Sequence, residues 1–210
     1  MRLSRILLAP TAAGLLMLAA CTPAPTPSDP ASAGEGTGAG EEPGGGSSAG
    51  AGCLEGDWEA DIDVMEANAV NAPGLAAFGG VATVSGTSFT TFDGSMTTSV
   101  YDNQSTEVTW SLNGQEYRTV ATYDGTLRGA YTVTDTELTM TDVDITELTV
   151  ESTSFVDGAP LALPGVSESV RTALEAGGTS AYTCSGDELR LEPIVADVDT
   201  SNFVTVLHRR

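Results

Sequence analysis

From residue 57 to residue 64 polar and apolar positions alternate: Asp57, Glu59, Asp61 and Asp63 are separated by Trp58, Ala60, Ile62 and Val64. A period of two gives a strand one wet and one dry face, so the pattern predicts a half-buried strand over 57–64. β-Branched, Thr-rich runs follow at 81–85, 88–92, 96–101, 106–112, 117–123, 129–134, 137–145 and 147–155. Turn signals such as Asp93-Gly94, Asn113-Gly114 and Asp124-Gly125 punctuate them. Turns at this spacing suit an antiparallel meander, whereas βαβ units would interpose helices. Two stretches have helical spacing. Residues 166–176 place Val166, Val170, Ala173 and Leu174 on one face and stop at Gly177-Gly178; residues 65–78 are a weaker candidate, because Pro73-Gly74 interrupts them. A Tyr strand, a tight turn and a return strand occur twice, at Tyr131 to Met140 and at Tyr182 to Leu191. By duplication or as two ordinary hairpins, this predicts successive hairpins. The expected class is all-β: an antiparallel meander forming a barrel or half-barrel of about 8–10 strands, with one or two short helices.

The first fifty residues follow a different pattern. Arg2 and Arg5 precede an apolar run from Ile6 to Ala20, a positive end and short hydrophobic core typical of an export signal and too short for a comfortable bilayer-spanning helix. Leu18-Ala19-Ala20-Cys21 resembles the lipobox of bacterial lipoproteins. That resemblance implies cleavage before Cys21 and a diacylglycerol on its thiol. Residues 22–52 carry Pro23, Pro25, Pro27, Pro30 and Pro43 among Gly, Ser and Ala, without an aromatic residue. Too little apolar surface is available there to offset the entropy of ordering, so a flexible tether is expected. The chain divides into a signal peptide (1–20), a tether (21–52) and one folded domain (53–210), placed on the extracytoplasmic face of the cell membrane by its lipid.

Charge and cysteines narrow the chemistry. The chain has 29 acidic residues, eight arginines and no lysine, for a net charge of −21. Such a surface repels phosphate, which argues against nucleic acid or anionic headgroups as partners; negative charge also keeps an exported domain soluble. With Cys21 lipidated, Cys53 and Cys184 are the remaining thiols, and outside the cytoplasm an even pair is expected to be bridged. His208, the only histidine, sits beside Arg209 and Arg210 at the chain end, where solvation is the expected fate. No catalytic residue is assigned and the chain is read as non-enzymatic. Three Asp-x-Asp pairs (61/63, 142/144, 197/199) lack the Gly turn and spaced ligands of a calcium loop. No metal or cofactor is assigned.

Gly56-Asp57-Trp58, the Tyr182-x-Cys184-x-Gly186-Asp187-x-Leu189 hairpin and a last strand at Phe203–Leu207 followed by Arg209 and Arg210 resemble the lipocalin-like domains of actinobacterial lipoproteins. The resemblance implies a barrel closed at one end by Trp58, with Arg209 or Arg210 packed over the indole as a cation–π partner. The helix at 166–176 departs from the pattern, since lipocalins place theirs just before the last strand. Two functions follow. The resemblance implies a membrane-anchored module binding a small hydrophobic ligand inside the barrel. The alternative is a structural or protein-interaction lipoprotein of the cell envelope, its barrel filled by its own side chains.

Overall fold

The computed structural model describes residues 51–210, apart from Pro73, Gly74 and Asp197. The expected export signal, Cys21 and all but the last two residues of the expected tether lie outside the described residues. After a 3₁₀ turn at Ala51–Cys53, the elements are β1 (Gly56–Ala60), α1 (Ile62–Asn71), β2 (Val81–Asp93), β3 (Met96–Leu112), β4 (Gln115–Val133), β5 (Glu137–Val156), β6 (Ala159–Leu161), α2 (Val166–Glu175), β7 (Gly178–Ser185), β8 (Glu188–Pro193) and β9 (Thr205–Arg209).

All strand pairs are antiparallel. β1 to β5 pair in sequence, β5 passes to β7, and β7, β8 and β9 lead back to β1, so eight strands close into a ring. β6 is a short edge strand folded back on β5. The all-β meander expected from the sequence is the observed fold, with nine strands and two α-helices among the described residues.

The strand boundaries differ from the sequence expectation in an instructive way. The eight predicted runs after residue 80 merge in pairs into four long strands of 13 to 20 residues. The breaks between them are kinks within strands. Gly86 (80°), Asn103 (48°) and Gly125 (112°) take positive φ at three of these breaks, and Asp142 (50°) takes it inside the predicted run 137–145. A Cβ on Gly125 would overlap the Glu147 carbonyl oxygen, and one on Gly86 would overlap that of Asn103. Asp124-Gly125 therefore lies inside β4, next to the register shift between β3 and β4 at Tyr101/Gln104, where bulges bend a sheet. The predicted strand over 57–64 is also corrected. β1 ends at Ala60 and Asp61 becomes the N-cap of α1, its Oδ1 accepting the Val64 N–H at 3.0 Å. The apolar Ile62 and Val64 that completed the alternation belong to the helix.

The long strands outrun the short ones. β2 has β1 beside it only over Phe89–Phe92, and β5 has β7 beside it only over Glu137–Met140. Beyond that level β2–β5 continue as a bent sheet, and α1 and α2 stand along its two edges. Three apolar clusters fill the interior. The ring holds Trp58, Phe92, Tyr131, Leu138, Tyr182, Leu189 and Leu207, one from each of seven strands, with Leu54 above them; Thr97 of β3, opposite Phe92, is buried with them. Val170 and Leu174 of α2 pack on Leu127, Ile145, Leu148 and Val150. Ala69 of α1 and Leu75 pack on Ala82 and Val108.

Candidate functional site

The residues singled out by sequence converge where the chain enters the barrel. Cys53, in the 3₁₀ turn, is disulfide-bonded to Cys184 of β7, with Cα atoms 6.2 Å apart. Trp58 is fully buried, and its indole N–H donates to the Leu54 carbonyl at 2.8 Å. Arg209 faces Trp58 directly across the β1–β9 ladder. Its guanidinium lies 4.3 Å from the indole ring centroid and donates to the carbonyls of Glu55 (2.9 Å) and Cys53 (2.8 Å). Arg210 points to the opposite face, 4.2 Å from the Phe89 ring, so ladder parity decides between the two arginines.

The geometry also explains the glycine two residues before the tryptophan. Gly56 has φ 122°, and a Cβ there would come within 2.7 Å of Arg209 Nη1. Only a glycine lets the guanidinium pass to the carbonyls beyond. Glu55 extends the arrangement by accepting the Gly94 N–H at 3.1 Å and the Tyr131 hydroxyl at 3.3 Å. The Tyr131 phenol is pushed up from its ordinary value by burial first and by the Glu55 charge second. One cluster thus joins the entry segment to the β2–β3 turn, β4, β7 and β9.

A second cluster lies on the outer side of the same strands, in an open cleft bordered by Glu59, Ala60, Asp61, His208, Arg209 and Arg210. His208 Nε2 stands 2.9 Å from Asp61 Oδ2. The Asp61 carboxyl is held below its ordinary value, by the Val64 backbone N–H first and then by the His208 hydrogen bond. His208 is thus paired, where the sequence pointed to simple solvation. Its partner lies 147 residues away and is reached only through the β1–β9 register, so no local signal in the sequence could have found it.

The other arginines do not gather. Arg118 pairs with Glu107 at 3.0 Å and lies over Phe155, Arg128 pairs with Glu147 at 2.6 Å, and Arg171 donates to the Leu148 carbonyl. Asp144 accepts the Thr146 N–H at 2.9 Å, and Asp197 lies outside the described residues. Among the described residues, no group of three or more His, Cys, Asp or Glu side chains could hold a metal ion, and no helix is long and apolar enough to cross a membrane. No family model matches the chain, and no curated protein or solved structure is significantly similar to it.

Proposed function

We propose that this chain is an extracytoplasmic lipoprotein anchored through a diacylglycerol on Cys21, and that its domain serves as a filled β-barrel module meeting a protein or cell-wall partner with its outer surface. The observation that carries the second half is the packing inside the ring. Seven strands each send a large side chain to one cluster, so a ligand at the centre would have to displace Trp58, Phe92 and Tyr131. Phe92 and Tyr131 pack edge to face with centroids 5.3 Å apart, and the Tyr182 hydroxyl donates to the Thr134 carbonyl. Such specific contacts favour a structural interior over a pocket that must open and refill.

Support for the first half comes from the export-signal pattern and from the Cys53–Cys184 bridge, a bond that persists outside the reducing cytoplasm. Each buried CH₂ of an acyl chain contributes about 0.8 kcal/mol, so two long chains hold the protein at the membrane. The 31 residues between Cys21 and Cys53 would average about 30 Å as a coil and reach at most roughly 100 Å. That span lets the domain stand clear of the lipid and reach a partner.

One experiment tests both halves: native mass spectrometry of the full chain extracted from membranes in mild detergent. The expected mass is that of a chain beginning at Cys21 with its acyl groups and nothing else bound. A chain still beginning at Met1 without lipid would overturn the anchor. A retained small hydrophobic adduct, released on unfolding, would overturn the filled barrel in favour of ligand binding.

A further inference from the structure

Asp61 stands at the junction of β1 and α1 and is engaged on every side. Its N–H donates to the Val206 carbonyl at 2.9 Å, its carbonyl accepts the Met65 N–H at 3.1 Å, Oδ1 caps the helix through Val64, and Oδ2 meets His208. The imidazole belongs to β9, so this contact fastens the start of α1 to the C-terminal strand. The charged groups around it come from every neighbouring element. Glu59 of β1 and Glu188 of β8 face His208 across the two ladders, Arg210 lies 3.8 Å from Glu59, Arg209 borders the same cleft, and Asp63 sits in the first turn of α1. The cleft is open to solvent, so protons reach the pair freely.

We propose that Asp61 and His208 form a pH-dependent latch that holds the first turn of α1 to β9 more tightly in mild acid than at neutral or alkaline pH. Imidazoles carry their charge below roughly pH 6.5. With the imidazole protonated the contact is an ion pair; with it neutral, a hydrogen bond. The carboxylate side does not reverse this sign, because the Asp61 carboxyl is held below its ordinary range and stays ionised where imidazoles titrate. α1 lines one edge of the bent sheet through Ala69, so the latch links external pH to the fastening of the half of the domain that strands alone do not close.

The test is amide hydrogen exchange of Val64 and Met65 in the full chain, at about pH 5.5 and about pH 7.5 on either side of imidazole titration, corrected for intrinsic rates. Both side chains are partly exposed, so about two- to fivefold greater protection is expected at the lower pH. His208→Gln should abolish the difference. Asp61→Asn keeps an oxygen to cap the helix but removes the charge, and should abolish it as well. Either variant retaining the wild-type pH difference would overturn the latch.

Discussion

At the end of the barrel that holds Cys53 and Trp58, strands close on strands; in the other half, α1 and α2 complete the wall. The same sheet faces two different tasks. Where β1, β7, β8 and β9 lie alongside, each edge N–H and C=O finds a neighbouring backbone. Where they stop, β6 pairs with the far end of β5 over Ser154–Val156, and single side chains satisfy further edge groups of β2 and β5. Glu66 of α1 accepts the Val84 N–H, Ser167 of α2 accepts the Ser152 N–H, and Arg171 of α2 donates to the Leu148 carbonyl. A ladder is cooperative and dry, whereas side-chain caps act one at a time and sit closer to water. The helix-walled half should therefore open at lower free energy than the ring, and its caps blunt edges that would otherwise template pairing with another chain.

The largest effect should come from cutting the bond that staples the entry segment to the ring. The bridge spans a sequence separation of 131, and closing so long a loop in the unfolded chain is worth about 4–5 kcal/mol in the chain-entropy account. Replacing both Cys53 and Cys184 by Ser should lower the urea midpoint accordingly; a loss below about 1 kcal/mol would show that the loop constraint matters little. Next in size, Trp58→Ala empties the centre of the ring and removes the surface under Arg209, at about 3–5 kcal/mol. Leu174→Ala, the matched change under α2, should cost about 2–4 kcal/mol. Hydrogen exchange separates the two. Trp58→Ala should raise exchange throughout, and Leu174→Ala should raise it first in α2 and the neighbouring edge of β5. Equal acceleration in ring and helices for both variants would break the distinction between the halves.

Arg171→Ala and Glu66→Ala probe the edge caps, each expected to cost about 1 kcal/mol. Their larger consequence is the uncovered edge. Either variant should self-associate more readily on mild heating, measured by light scattering, while Arg128→Ala, which removes only an exposed ion pair, should not.

What the sequence disclosed follows the same division. α2 was legible because its apolar spacing and the Gly177-Gly178 stop are local, and the alternation around Trp58 located β1. The kinks were misread because a Gly at positive φ serves a hairpin turn and a bulge equally well. Gly125 is distinguished only by Glu147 packing against it from β5. The pairing of Trp58 with Arg209, and of Asp61 with His208, depends on which residues β1 and β9 bring opposite each other. Register between the first and last strands of a ring is a property of closure, and no window of local sequence contains it.

The smallest effect at neutral pH should be the most selective in alkali. Tyr101 and Tyr123 pack against the cluster under α2, with ring centroids 5.9 Å apart. Burial first, and the neighbouring Tyr123 second, push the Tyr101 phenol up to about 12; burial also raises Tyr123. An unfolded phenol loses its proton near pH 10. Between about pH 10 and 12 the native chain therefore holds a proton at Tyr101 that the unfolded chain has released, and stability falls as pH rises through that window. Below it the phenol is neutral in both states and contributes no pH dependence. Tyr101→Phe should leave the urea midpoint at pH 7 nearly unchanged and raise it at about pH 11, with the gain appearing in the exchange of α2 before that of the ring. A variant no more stable than wild type at about pH 11 would mean that the phenol ionises where it stands, and that the helix-walled half is wetter than its packing indicates.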